Sequence, residues 1–136
     1  MRLRKRSSVA LAASAVLLVA LSIGVHAHRN TDPDCGTAWW PKEAALNELL
    51  AQPQRWVGKV VEVTGYYSGY PERSILVLAP EAEVYEAATG DAVAMDKIYR
   101  DLDGKKLRVT GRFSGPVDRA PFFGGHLCVI RVEAVL

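Results

Sequence analysis

The sequence is short of the residues that carry most enzyme and metal chemistry. Its 136 residues include two cysteines and three histidines, in no cluster that matches a zinc site. No nucleophile stands in a known catalytic signature, so no reaction is legible and no cofactor is expected. Beyond residue 6 there is no basic run, and without one the electrostatic footprint of a nucleic-acid binder is missing. No cysteine lies at the end of the apolar run at 9–25, so no lipoprotein anchor is suggested. Aromatic residues make up only 8% of the chain, so each tryptophan needs a reason to be where it is.

What is present begins with a leader. Arg2, Arg4, Lys5 and Arg6 precede an apolar run broken only by Ser14, Ser22 and Gly24, and Val25-His26-Ala27 then supplies small residues at −3 and −1. This is the pattern of a secretory signal peptide over 1–27. The run of 17 residues lies at the bottom of the membrane-spanning range, so an uncleaved anchor is the alternative. Both readings place the rest in the periplasm or outside the cell. Removing the four leader charges leaves 13 Lys+Arg against 15 Asp+Glu, a formal −2. The mature chain, 28–136, is the length of one domain: an irregular stretch over 28–40, then a barrel domain over 41–136.

The barrel is written twice. GKVVEVTGYYSG at 58–69 returns as GKKLRVTGRFSG at 104–115, an offset of 46 without a gap. Each copy alternates with period two, the mark of a half-buried strand. Val61, Val63, Gly65 and Tyr67 share one face, as do Leu107, Val109, Gly111 and Phe113. The glycine inside each apolar face marks a bend, a bulge or a close backbone approach.

In chain order, Trp39 and Trp40 are expected to plug the core beside a helix over 41–52. Pro41 suits its first turn, and Ala45, Leu46, Leu49 and Leu50 form its apolar face. Trp56 joins that contact. After the first repeat strand come a turn at 68–73, a strand at 74–79, a segment at 81–90 open between loop and helical turn, and a short strand at 91–96. A short helix at 97–103, the second repeat strand, a loop at 115–125 and a last strand at 126–136 complete the chain. In that last strand Cys128, Ile130, Val132 and Ala134 alternate with Leu127, Val129, Arg131 and Glu133. The fold class is mainly β: a five-stranded Greek-key barrel with an N-terminal helix and a short helix between strands three and four.

Leu50, Pro53, Gly58, Lys59, Val61, Val63, Gly65 and Gly125-His126 resemble the recurring pattern of exported bacterial modules with the oligonucleotide/oligosaccharide-binding (OB) fold. The resemblance spans residues 46–135 and implies a fold. It brings no reaction with it. The haem chaperone of cytochrome c maturation is another exported barrel of this type, but its C-terminal His-Asp-Glu context has no match here. Small barrels of this kind bind across strands two and three and the adjoining loops, which makes Tyr70, Arg73, Arg119, Phe122, Phe123 and His126 the candidate ligand-binding residues. Glu72 lies among them. The plainer reading has the phenylalanines closing the barrel and the arginines solvated.

His126 and Cys128 leave the same strand face, the geometry of a Cys–His pair. That is the enzymatic alternative, with a metal as its variant. The other histidine of the mature chain, His28, would be its new N-terminus; amine and ring together can chelate copper, although such a residue is usually only the one after the cleavage site. With two cysteines in an oxidising compartment, a Cys35–Cys128 disulfide is expected instead. The leading reading is an exported, non-enzymatic binding or accessory module for a small molecule, a glycan, a peptide or an envelope protein.

Overall fold

The computed structural model describes residues 16, 18, 31–69, 74–80, 91–116 and 123–136. A two-residue hairpin, β1 (Thr31–Asp32) and β2 (Gly36–Thr37), opens the described chain. Then follow β3 (Lys42–Ala45), α1 (Leu46–Ala51), β4 (Val60–Ser68), β5 (Ile75–Val77), β6 (Ala92–Met95), β7 (Lys106–Ser114) and β8 (Gly125–Ala134). Single 3₁₀ turns at Pro53–Arg55 and Arg100–Leu102 precede β4 and β7. Among the described residues no helix is long and apolar enough to cross a membrane.

Five strands close into a barrel. Around it β4 pairs with β5, β5 with β6, β6 with β8, β8 with β7, and β7 again with β4. Only β6–β8 is parallel; the other four pairings are antiparallel. The mainly β barrel expected from the sequence is what the chain forms. Its core holds Val61, Val63, Tyr67, Leu107, Val109 and Phe113 from the repeat, with Leu76, Val93, Leu127 and Val129 from the other strands.

The two repeat copies pair with each other. Val63 faces Val109 at the centre, and the register is symmetric about that pair: Val61 meets Gly111 as Gly65 meets Leu107. The symmetry runs past the ladder. Gly58 N–H donates to the Phe113 carbonyl at 2.8 Å, and its counterpart Gly104 donates to the Tyr67 carbonyl at 2.9 Å. Lys59 N–H closes on the Trp56 carbonyl and Lys105 N–H on that of Leu102. Gly58 and Gly104 take positive φ, 77° and 73°, which turns each 3₁₀ segment into its strand without the steric penalty a Cβ would bring. One strand-entry module has been used twice around a local two-fold axis.

Three expectations are corrected. The helix over 41–52 is a helix only from Leu46; Lys42–Ala45 is a strand parallel to Val61–Thr64. The cause is a vacant sheet edge. β5 covers only Tyr66–Ser68 of β4, and the backbone groups of Val61–Thr64 on that edge need partners. Trp39 and Trp40 do not plug the core: they are 41% and 86% exposed, since Leu46, Leu49 and Trp56 already fill the space beneath α1. In β8 the strict alternation fails. A bulge inserts Ile130 opposite the Thr110/Gly111 step, so Leu127 and Val129 face inward before it and Val132 after it.

Candidate functional site

The outward residues of β4, β7 and β8 form a closed ring of charge. Glu62 lies 3.8 Å from Arg108 Nε and 3.4 Å from Arg131 Nη2, and Glu133 lies 3.9 Å from Arg108 Nη1 and 3.5 Å from Arg131 Nε. Thr110 Oγ1 donates to Glu62 at 3.5 Å. Exposed pairs of this kind contribute little stability. Their consequence is positional: each arginine is shared between the two carboxylates, and Glu62 between the two arginines.

Beside this ring lies a groove of about 440 Å³, within the range of small-ligand sites. It opens at Gly65, where the edge of β4 passes from β3 to β5. Ala45, Leu46, Tyr66 and Leu78 give it apolar surface; Glu43 lines it too, as do Lys106 and Arg108. Glu43 has no ion pair among the described residues, and the Lys106 ammonium lies 5.8 Å over the Tyr66 ring. The groove therefore offers a free carboxylate, a cation and an aromatic face in a lining that is more polar than apolar.

Of the residues expected to bind ligand, Tyr70, Arg73, Arg119 and Phe122 lie outside the described residues. Phe123 packs with Tyr66 against Ile75, Val77 and Ala92, a second apolar cluster. His126 stands between Ala94 of β6 and Ser114 of β7, and the Ser114 hydroxyl donates to its carbonyl at 3.3 Å.

The disulfide is present. Cys35 and Cys128 are bridged with Cα atoms 5.3 Å apart, inside the window for an unstrained bridge. No thiolate therefore stands beside His126. Asp96 comes within 4.8 Å of both sulfurs, a ligand-like trio whose sulfurs are committed to each other.

Polar contacts repeat the tie. Arg112 Nε donates to the Cys35 carbonyl at 3.1 Å, and Asp96 Oδ1 accepts from Val129 N–H at 2.7 Å. Lys97 Nζ bridges Asp32 and the Val129 carbonyl. The hydrogen bond from Lys97 holds the Asp32 carboxyl below its ordinary range, and the same contact raises Lys97. Burial raises the Tyr99 phenol, whose own backbone N–H donates to the Tyr67 hydroxyl.

Sequence reasoning missed the groove because it needs β3 to be a strand. One signal was available: Glu62, Arg108, Arg131 and Glu133 are opposite charges on outward positions of adjacent strands.

No family model matches the chain, and no curated protein matches it. Among solved structures it is similar to a DUF3299 family protein from Pseudomonas aeruginosa PAO1, with 12% identity and a TM-score of 0.49 over 71% of this chain and 97% of that one. It is also similar to a provisionally assigned aspartyl-tRNA synthetase from Leishmania major Friedlin, with 12% identity and a TM-score of 0.38 over 72% of this chain and 21% of that one. Neither likeness is strong enough to bear on what the chain does.

Proposed function

We propose that the protein is an exported OB-like module that binds a small or extended ligand carrying both an acidic and a basic group, a short peptide being the simplest case. The observation that carries this reading is the groove at Gly65, whose lining sets Glu43, Lys106, Arg108 and the Tyr66 ring around one opening. A barrel order in which the third and fifth barrel strands run parallel supports the OB assignment. Binding is favoured over cysteine catalysis because the Cys128 sulfur is bonded to Cys35. A mature charge of −2 argues against nucleic acid as the ligand. The residues expected from the sequence, Tyr70, Arg73, Arg119, Phe122, Phe123 and His126, are the rival site; of these, Phe123 packs on the second apolar cluster.

Backbone amide shifts, followed while an acid- and base-bearing peptide library is titrated, separate the two. Movement of Ala45, Thr64, Gly65 and Lys106 is expected. Movement confined to Phe123–His126 moves the site to the loop end, and no movement anywhere overturns ligand binding in favour of a structural accessory.

A further inference from the structure

Two adjacent tryptophans are exposed at one end of the barrel, and that end is basic. Trp39 and Trp40 lead into Lys42, which pairs with Val61. Because β3 and β4 are parallel, the chain preceding Lys42 and the chain preceding Val61 reach the sheet at the same end. The second of these brings Arg55, Val57 and Lys59, with Val57 45% exposed. Arg55 and Lys59 are both held over the Trp56 ring, each 5.6 Å from its centroid. Arg112 comes to the same end, opposite Val60. Residues 35–42 and 52–61 contain no acidic residue.

Large apolar side chains left exposed side by side mark a contact surface. These two are also fixed in place. The hairpin before them is bridged to β8, and β3 after them is in the sheet.

We propose that this end of the barrel docks on an anionic lipid bilayer. Trp39 and Trp40 enter the headgroup–acyl boundary, where an indole's apolar body and its N–H are both accommodated. Lys42, Arg55 and Lys59 face the headgroup phosphates. A bilayer is chosen over a protein or glycan partner on two grounds. The cations complement an anionic surface, and the upstream stretch, basic at 2–6 and apolar at 9–25, would hold the chain at a membrane if kept and pass it across one if cleaved.

Tryptophan emission tests this in the protein as isolated from exporting cells. The chain has three tryptophans, and Trp56 is already buried, so a change in emission reports on Trp39 and Trp40. Phosphatidylglycerol-containing vesicles should shift emission to the blue, and bromines placed high on the acyl chains should quench it. Pure phosphatidylcholine vesicles should do so far less. Near an anionic surface each cation strengthens partitioning about fivefold, so Lys42→Gln with Lys59→Gln should weaken it by roughly 25-fold. Trp40→Ala should remove most of the quenching with an unchanged melting temperature. Vesicles that sediment the protein without altering emission overturn the proposal, because the leader alone would then be doing the binding. Equal response to both lipids overturns it too, as does an emission change produced by soluble glycan or protein and not by lipid.

Discussion

The two repeat copies have the same local structure and different surroundings. In each, a 3₁₀ turn, a left-handed glycine and a nine-residue strand follow in the same order, and their hydrogen bonds correspond one to one. Yet β4 gives its free edge to β3 and β5, while β7 gives its own to the bulged β8 and, through Arg112, to the N-terminal hairpin. The repeat therefore specifies the strand and its entry. The neighbours decide how much any one position within it can change.

The largest effect expected from this asymmetry is at the N-terminal hairpin. The bridge spans 93 residues and ties the hairpin to β8, the neighbour of the second copy. The chain-entropy model gives about 4–5 kcal/mol for a loop of this size as a ceiling. Reduction, or Cys35→Ser with Cys128→Ser, should lower the melting temperature by at least about 10 °C. Fold should persist at room temperature, because the Arg112 and Lys97 contacts remain. A change of only a degree or two would show those contacts to be sufficient alone.

The equivalent glycines come next. A Cβ on Gly111 would lie 2.6 Å from the Cys128 carbonyl oxygen, which is fixed in the ladder beside the bulge. A Cβ on Gly65 would meet the end of Leu46 at 2.9 Å, a side chain able to move, with the Val77 carbonyl oxygen at 3.2 Å. Gly111→Ala should therefore cost about 2–3 kcal/mol and Gly65→Ala about 1 or less. Denaturant melts that gave equal costs, or the reverse order, would break the comparison.

Tyr67 and Phe113 are the equivalent aromatics. The Tyr67 hydroxyl accepts from Tyr99 N–H at 2.8 Å and lies 3.3 Å from Ser74 Oγ, whereas the Phe113 ring tip abuts Gly125. Tyr67→Phe should cost about 1–2 kcal/mol by leaving a backbone donor unpaired. Phe113→Tyr should gain nothing, because no partner replaces Gly125. A neutral Tyr67→Phe would mean that the two sites differ only in shape.

The smallest effect is electrostatic. Asp32 titrates below its unfolded value, so its contribution is complete above about pH 4 and is lost as pH falls through the lowered folded value. Lys97 titrates above its unfolded value, so its contribution is complete below about pH 10 and is lost as pH rises through the raised folded value. Asp32→Asn should melt slightly below the parent at neutral pH, and the gap should close in acid. A gap that persists in acid would assign the loss to the turn at Asp32, whose carboxyl also accepts from the Asp34 and Cys35 N–H groups.

These contrasts also explain what could be read in advance. The inward faces of β4 and β7 follow from period two, since each has polar residues on the opposite face. β8 is apolar on both faces near Ile130, so alternation has no phase there and the bulge leaves no trace. Lys42–Ala45 favours helix by propensity, and only the uncovered edge of β4 makes it a strand. The groove depends on that strand and was hidden with it. The disulfide was legible because two cysteines admit a single pairing.

That single pairing has a consequence for how the chain is made. Synthesis runs from Cys35 to Cys128, and β8 is the last strand to emerge. Until then Cys35 has no intramolecular partner, so no wrong bridge can form within the chain. A polypeptide cut short before residue 128 leaves Cys35 as a thiol, whereas in the bridged chain both sulfurs are committed to each other. The bond can therefore close only after the last barrel strand has been made.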